Sequence, residues 1–306
     1  MSRGGTPETV EISEGVFVHV QPDGSWFLNN PAFLTCRRGV ISIDTCATER
    51  RTRAYLAAIA AVTREPVRTL VNTHHHADHT FGNHLMPGAT IVGHEQTRAE
   101  VIAFGRPHNR GVWDEIEFGE FELAPPFLTY ADTVTLWADD LRCEVRHVGG
   151  PAHTTNDSIV HLVDRSVLFA GDLLFKGGTP FVLMGSISGA VEVLEKVVRP
   201  LEAQTVVPGH GPVCGPEVID ETLRYLRRVQ DLAREAKAAG LSPLEAALEC
   251  DLGEYHDYLD AERIVGNLHR AYAELDGVPP GARIDFAAAY RDMIAYNGGK
   301  PLTCHA

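Results

Sequence analysis

The sequence lacks three features: a transmembrane segment, a signal peptide and the paired cysteines of a structural zinc site. No segment approaches the ~20 uninterrupted apolar residues that a transmembrane helix requires. Its first residues, Met1 to Glu8, contain no apolar centre of the kind found in signal peptides. No two cysteines have the CxxC spacing of a structural zinc site. We therefore expect a cytoplasmic protein with no membrane partner.

Cysteine is scarce and unpaired in the sequence. The 306 residues include six cysteines, which are scattered along the chain. In a reducing compartment such residues are more often thiols than disulfides, because cellular reductants keep them reduced. We expect six unremarkable thiols at Cys36, Cys46, Cys143, Cys214, Cys250 and Cys304.

Basic residues are outnumbered by acidic ones. The chain has 27 lysines and arginines against 41 aspartates and glutamates, which gives a formal net charge of −14. Nucleic acid binding needs a concentrated basic surface, so we expect no nucleic acid partner. The hydrophobic content of 44% is ordinary for a globular protein. The length allows a sizeable core, in one large domain or in a domain with an appendage.

Strand patterns fill the first two thirds of the chain, and helical patterns fill the last third. The predicted strands are 16–20, 26–28, 32–36, 40–44, 67–72, 90–93, 141–148, 158–163, 167–170 and 205–207. The predicted helices are 51–62, 95–104, 190–198, 217–239, 243–249, 261–275 and 284–295. Residues 106–126 show no clear period. We predict an α/β body in residues 1–215 and a helical extension in residues 216–306.

A cluster of metal-ligand residue types directly follows the predicted strand 67–72. It comprises His74, His76, Asp78 and His79. Residues two apart in an extended chain point to the same side, so His74 and His76 can face one metal. Imidazole suits zinc, and a carboxylate adds a harder anionic ligand. The cluster therefore predicts a metal site at the end of this strand.

Three more residues of the same types follow later strands, each in a glycine-containing loop. They are His153, Asp172 and His210. Four ligands rarely complete two metal shells, but seven can. We expect His74, His76 and His153 on one metal and Asp78, His79 and His210 on the other, with Asp172 bridging them.

Other histidines near the motif or within strand patterns have a more ordinary interpretation. A lone histidine is usually a polar residue with a satisfied partner, and His75 alternates away from its two neighbours. We expect no metal ligand among His19, His75, His84, His94 and His161.

The order HxHxDH, then His, Asp and His, resembles the metallo-β-lactamase superfamily over roughly residues 10 to 215. The resemblance implies a four-layer αββα sandwich with two metals, most often zinc, at one edge between the sheets. Asp44, at the end of its strand, matches an acid that supports the metal site in this family. The identity of Asp172 disfavours lactam hydrolysis, because those relatives generally carry cysteine or serine there. His76 favours zinc over iron, since diiron relatives have an acid at that position.

A narrower resemblance runs nearly end to end along the chain. The sequence is similar to the metallo-β-lactamase-type cyclases of aromatic polyketide pathways, of the actinorhodin second-ring type. The segments that carry the similarity include 171–172, 179–181, 209–212, 215–220, 259–263, 267–271, 295–299 and 303–304. Most of these lie outside the metal motif, so they discriminate within the superfamily.

This resemblance implies a substrate and two reactions. The substrate would be a partly cyclised poly-β-ketone, held as a thioester on an acyl carrier protein. One reaction is an intramolecular aldol closure of the second ring followed by loss of water; the other is hydrolysis of the thioester. Asp78 is the expected catalytic residue, which would orient water or carry its proton. An apolar slot for a flat substrate could be lined by Trp113, Phe175, Phe181 and Met184.

Alternatives remain open from the sequence. A glyoxalase-II-like hydrolase of small thioesters or lactones would use the same ligands, and so would a metal-binding protein without catalysis, although the complete ligand set argues against the latter. The helical extension could cover the cleft or form a homodimer interface. Arg224, Arg227 and Arg228 could offer a local basic face to an acidic carrier protein, but a solvated helix face is the more ordinary interpretation.

Overall fold

Two β-sheets form the centre of the protein in the computed structural model, which describes residues 5–107 and 111–306. The first sheet has seven strands in sequential order, β1 to β7. β1 to β4 are antiparallel, whereas β4 to β7 run parallel. The strands are β1 Glu8–Ser13, β2 Val16–Val20, β3 Ala32–Cys36, β4 Gly39–Ile43, β5 Val67–Val71, β6 Thr90–His94 and β7 Leu128–Tyr130.

The second sheet has five strands in the order β12-β11-β10-β9-β8. β8 to β11 are antiparallel, and β12 runs parallel to β11. The strands are β8 Thr133–Ala138, β9 Leu141–His147, β10 Ser158–Leu162, β11 Val167–Phe175 and β12 Thr205–His210. All nine residues of β11 are buried, as expected for a strand covered on both faces.

Eight α-helices accompany the sheets in the described part of the chain. They are α1 Glu49–Val62, α2 Ala77–Thr80, α3 Glu95–Phe104, α4 Ile187–Val193, α5 Glu217–Ala238, α6 Pro243–Glu249, α7 Arg263–Leu275 and α8 Phe286–Tyr296. Thr48, Ser186 and Ser242 cap α1, α4 and α6, because each side chain accepts a hydrogen bond from the first turn. Among the described residues, no helix is long and apolar enough to cross a membrane.

Three hydrophobic clusters define the layers. The central one lies between the sheets and joins residues such as Ile43 and Val71 to Val160 and Val207. A second packs Tyr55 and Ile59 of α1 on the outer face of the first sheet. The third packs α4, α5 and α7 on the outer face of the second sheet. The result is the predicted αββα sandwich, with helices of the C-terminal extension in one outer layer.

The predicted elements differ from the structure at a few places. The expected strand 26–28 is wrong: Trp26 and Phe27 form a turn, and Phe27 has a φ of 64°, a conformation that no strand uses. The sequence analysis missed β1, β7 and β8, whose residues are largely exposed or half-buried. Such edge strands lack the continuous apolar run that indicates a buried strand in a sequence.

The C-terminal extension shares a core with the second sheet. Val218, Leu226, Leu268 and Met293 belong to the same hydrophobic cluster as Leu168 of β11. The expected domain boundary at residue 215 therefore stays a prediction. In the structure, the elements on the two sides of residue 215 pack against each other.

Candidate metal centre

The first group of predicted ligands meets near the carboxyl ends of β5 and β9. His74 and His76 follow β5, and His153 follows β9. Asp172 lies within β11, and His210 is the last residue of β12, so neither is in the loop after a strand that the sequence predicted. His74 Nε2 lies 3.1 Å from His76 Nδ1, which lies 2.9 Å from His153 Nε2. Asp172 Oδ2 lies 3.3 Å from His153 Nε2 and 3.9 Å from His74 Nε2. A tetrahedral zinc with bonds of about 2.0–2.1 Å separates its ligand atoms by about 3.3 Å. The spacing of these four side chains suits one such ion.

The second group lies beside the first. His210 Nε2 lies 3.2 Å from Asp78 Oδ2 and 3.4 Å from Asp172 Oδ2. His79 Nε2 lies 3.1 Å from Asp172 Oδ1 and 3.6 Å from Asp78 Oδ2. The ligand atoms within each group all lie within 4.8 Å of one another, and Asp172 belongs to both groups. The structure thus brings all seven predicted residues together in the two predicted sets, and their role as ligands stays a prediction.

Neighbouring groups fix the orientation of the ligand side chains. Asp44, with a φ of 58°, accepts hydrogen bonds from His79 Nδ1 at 2.8 Å and from Thr73 Oγ1 at 2.7 Å. His74 Nδ1 donates to Thr73 Oγ1, and His210 Nδ1 donates to the Gly24 carbonyl. The Nε2 atoms of all three histidines are thereby left for the cluster, as in known metal sites. Asp44 holds His79 as the family resemblance implied.

Gly209 leaves room for the shared carboxylate. A Cβ atom at this position would lie 1.9 Å from Asp172 Oδ1 and 2.8 Å from the Gly171 carbonyl carbon. Only glycine lets β12 pass so close to the carboxylate of β11. The absence of a side chain at Gly209 therefore allows Asp172 to occupy its position in the cluster.

The polar atoms of the cluster fit a cation. His79 Nε2 and Asp172 Oδ1 are buried and lie 3.1 Å apart, but neither makes a well-oriented hydrogen bond among the described residues. Burial lowers the pKa values of His74 and His76 well below the ordinary value, which keeps these imidazoles neutral and able to bind a metal. Burial also lowers the pKa of His210, but Asp172 and Asp78 outweigh it and raise that pKa to about 9. The two carboxylates thus favour positive charge at this position.

The histidines that were set aside have other partners. His75 Nδ1 accepts a hydrogen bond from Asn156, His84 Nδ1 donates to the Phe81 carbonyl, and His94 Nε2 donates to the Ala131 carbonyl. His19 hydrogen-bonds with Thr9, and His161 lies in the middle of the second sheet. None of the five belongs to either described ligand group.

A cavity of about 620 Å³ opens onto the cluster. Asp78, Asp172, His76, His153 and His210 all line it. So do the four residues that we expected in a substrate slot, Trp113, Phe175, Phe181 and Met184. The Phe175 ring stacks on the His210 ring at 5.1 Å between centroids, with 7° between the planes. The apolar slot and the metal cluster are therefore contiguous.

Sequence reasoning missed several aromatic residues of this cavity. Trp26, Phe27, Phe81, Phe104, Phe118, Phe286 and Tyr290 also line it. Phe81 closely follows the ligand motif and Phe104 ends α3, whereas the others lie in the turn at Trp26, in the segment without a clear period, and on α8. On α8 a weak signal exists: Phe286, Ala287, Tyr290, Arg291 and Ile294 recur at helical spacing and all line the cavity.

Comparison with known proteins agrees with this geometry. The family model described as the metallo-beta-lactamase superfamily matches residues 37–210. The chain is 24% identical to a linear primary-alkylsulfatase from a Pseudomonas species, over 86% of this chain and 59% of that protein. It is 28% identical to a hydroxyacylglutathione hydrolase of Brucella ovis, over 51% of this chain and 50% of that protein. The chain thus spans between half and three fifths of the length of these relatives.

Solved structures share the fold. A metallo-beta-lactamase from Pontibacter korlensis superimposes with a TM-score of 0.61 at 22% identity, over 72% of this chain and 99% of that one. The DIM-1 metallo-beta-lactamase, exposed to ceftazidime, gives a TM-score of 0.60 at 19% identity, over 74% of this chain and 98% of that one. About a quarter of this chain therefore has no counterpart in them. The family match over residues 37–210 shows that the chain belongs to the metallo-β-lactamase superfamily, whose members are generally metal-dependent hydrolases.

Proposed function

We propose that the chain is a dizinc enzyme that acts on a flat, carrier-bound aromatic poly-β-ketone. It closes the second ring by intramolecular aldol condensation and dehydration, and it can release the product by hydrolysis of the thioester. The observation that carries this proposal is the aromatic cavity that opens onto the predicted ligands. Polar peptide substrates need many polar partners in a site, whereas a planar polyketide needs apolar faces and few anchors.

The cavity offers ring faces and edges on several sides of a ligand. Trp26 meets Phe181 edge to face at 5.0 Å and Trp113 at 5.4 Å. Tyr290 of α8 meets Trp113 at 5.5 Å, so the cluster continues into the extension. Aromatic rings prefer such edge and offset contacts, and a flat polycyclic substrate can make them too. The volume lies within the usual range of about 300–1,000 Å³ for small-molecule sites.

In thioester hydrolysis, the proposed role of Asp78 is to take a proton from the attacking water. Zinc, when bound, polarises the carbonyl and lowers the pKa of water to about 7. Asp78 is buried, lines the cavity and has Oδ2 within 3.2 Å of His210 Nε2, so its carboxylate is held at the metal edge. The water oxygen bonds to the thioester carbon and the carbon–sulfur bond breaks. The thiol leaves with a proton, and a carboxylic acid remains.

In ring closure, the same carboxylate can remove a proton from a methylene between two carbonyl groups. That carbon then bonds to a ketone carbon of the same chain, and the resulting alkoxide is protonated. Loss of water from the new ring restores conjugation. A base held beside an apolar slot serves this reaction because apolar walls leave few positions for competing water.

An acyl carrier protein is the proposed source of the substrate. The arginines considered for its docking, on α5, each lie near a glutamate. Arg224 pairs with Glu254 at 3.7 Å, Arg228 with Glu235 at 3.9 Å, and Arg227 pairs closely with Glu195. These acids offset the positive charge of the face, so the structure gives little support to docking there. A homodimer through the extension stays a prediction.

The proposal is tested with purified enzyme and a one-ring polyketide thioester on a carrier protein. We expect about two zinc ions per chain by elemental analysis, and a product of lower mass by one water in mass spectrometry. Enzyme treated with a chelator serves as the control, and it should give neither the cyclised product nor the hydrolysed acid. Full activity in a metal-free preparation, or an unchanged substrate with zinc-loaded enzyme, would contradict the proposal.

A second candidate is a hydrolase of small soluble thioesters or lactones, of the glyoxalase II type. The match to a hydroxyacylglutathione hydrolase over half of the chain favours it. In the same assay this candidate predicts rapid cleavage of a glutathione thioester and no ring closure. An alkyl sulfate should be included, because a relative that matches 86% of this chain is named an alkylsulfatase. The aromatic rings that line the cavity favour a flat aromatic substrate over the glutathione tripeptide.

A further inference from the structure

One face of α7 forms hydrogen bonds with the loop 179–183, and this loop forms part of the cavity wall. Arg263, Asn267 and Arg270 recur along this face at spacings of four and three residues. Asn267 donates to the Pro180 carbonyl and accepts from the Val182 amide, while Arg263 donates to the Thr179 carbonyl. Arg270 donates twice to the Leu183 carbonyl. These three residues hold the loop 179–183 in place, and none of them belongs to the superfamily's metal motif.

The two arginines of this face differ in how fully their donors are used. Arg270 is buried, and its Nε, Nη1 and Nη2 all donate to carbonyl oxygens, those of Leu183 and Ala282. It does not line the cavity. Arg263 is also buried, with 1% of its surface exposed, yet it lines the cavity and its Nε has no hydrogen-bond partner among the described residues.

The surroundings of Arg263 suit a flat ligand. Its guanidinium carbon lies 4.1 Å from the centre of the Trp26 ring and 5.2 Å from the centre of the Phe175 ring. Trp26 is itself held by a 2.6 Å hydrogen bond from Nε1 to Glu262. Phe175 stacks on the predicted ligand His210. A single aromatic ring thus separates the guanidinium from the metal cluster.

Charge in the cavity also sets Arg263 apart. Three arginines line the described cavity, Arg263, Arg283 and Arg291, and all three lie beyond the region that the family model matches. Arg283 and Arg291 are exposed to water, which weakens their interactions. Arg263 is the buried one. Its Nη2 atom lies 2.8 Å from the Oδ2 atom of Asp260. That partner occupies one edge of a guanidinium that has five N–H donors.

We propose that Arg263 is a substrate-binding residue, which donates a hydrogen bond to an enolate or carbonyl oxygen of a planar ligand in the cavity. The choice of ligand rests on the proposed function, since a poly-β-ketone presents such oxygens along its edge. The free donor and the aromatic neighbours support the site independently of turnover. Charge-assisted hydrogen bonds are stronger than neutral ones, so an enolate should be preferred over a ligand without the oxygen.

The test measures binding of two ligands that differ in one oxygen, an acidic hydroxynaphthoquinone and the parent naphthoquinone. Dissociation constants are measured by calorimetry with zinc-loaded wild-type protein and with R263Q, R263K, R270Q and R270K. We expect R263Q to reduce the preference for the hydroxylated ligand by about 10- to 100-fold, as for a lost hydrogen bond to a charged group. R263K keeps the charge and should recover part of the preference.

The variants of Arg270 are the matched controls, because that residue is equally buried on the same helix. R270Q and R270K should lower the unfolding temperature while leaving the ratio of the two dissociation constants within about twofold of the wild-type ratio. If R263Q does not fold, the smaller loss expected for R263K decides the matter. A wild-type ratio in a folded Arg263 variant, or an equal loss in an Arg270 variant, overturns the inference.

The outcome is distinguishable from failure of the proposed function. A wild-type enzyme that binds the hydroxylated ligand through Arg263 but neither cyclises nor hydrolyses polyketide thioesters would refute the proposed reaction alone. An active cyclase whose ligand preference does not depend on Arg263 would refute this inference alone.

Discussion

The two sides of the cavity are built by different parts of the chain. The metal side consists of the seven predicted ligands, all at or before His210 and within reach of the family model. The extension side consists of Arg263 and the cavity-lining residues of α8, all beyond it. On the metal side, hydrogen bonds with neighbouring groups orient His74, His79 and His210. On the extension side, half-buried rings supply shape.

This difference suggests a division of labour. Ligand geometry tolerates little change, because a metal site needs its donor atoms at set distances. An apolar wall tolerates exchange of one ring for another of similar volume. We infer that the metal side sets the type of reaction, and that the extension side selects the substrate. Substitutions on the two sides should therefore separate a loss of chemistry from a loss of recognition.

Asp78→Ala is the substitution with the largest expected effect on chemistry. Loss of a positioned proton acceptor typically slows a reaction by about 10²- to 10⁴-fold, and we expect a fall in kcat of this size. The rate is measured with a simple aryl thioester, and metal content is measured on the same sample. Asp164→Ala, at an exposed turn, should keep the wild-type rate. A variant that retains both metals and forms product at the wild-type rate would refute the catalytic role of Asp78.

Gly209→Ala should act on the same side without removing a ligand. Its Cβ would lie 1.9 Å from Asp172 Oδ1, so the strand or the carboxylate must shift. Overpacking of this kind costs about 1–3 kcal/mol of stability. We expect a lower unfolding temperature and less than two metals per chain. Gly88→Ala is the control, because no atom lies within 4 Å of a Cβ there. Full metal content in the Gly209 variant would show that Asp172 can move without losing the site.

Much of the metal side could be predicted from sequence. His74 and His76 directly follow β5, His153 follows β9, and His210 ends β12, so the spacing of ligand types after strand patterns contains much of the arrangement. Asp172 was expected in a loop, but it lies within β11, which extends to Phe175. The division into two groups around Asp172 also agrees with the structure's geometry. What spacing could not reveal is how closely the backbone approaches, as at Gly209, because that depends on the parallel pairing of β11 and β12.

The extension side was harder to predict. The helices α5 to α8 were found within two residues at each end, since their apolar period is strong. Which face of α8 lines the cavity depends on its packing against Trp113, a contact between distant parts of the chain. The turn at Trp26 was mistaken for a strand because its aromatic residues favour strands, whereas Phe27 adopts a left-handed conformation.

Tyr290→Ala has the smallest expected effect and tests the extension side directly. Tyr290 lines the cavity and meets Trp113 edge to face, so its loss widens the slot and removes one ring contact from a flat substrate. We expect KM for a polycyclic aromatic thioester to rise about tenfold, the equivalent of ~1.4 kcal/mol, while KM for a short acyl thioester changes less than about twofold. Steady-state kinetics with both substrates measure the difference.

The control for that substitution lies on the same helix. Tyr296 also packs against the hydrophobic core but does not line the cavity. Tyr296→Ala should lower stability and leave the ratio of the two KM values unchanged. If Tyr290→Ala instead lowered kcat equally for both thioesters, the extension would be serving the chemistry itself. The two sides of the cavity would then act as one site, because a wall that only selects substrates cannot affect a substrate too small to touch it.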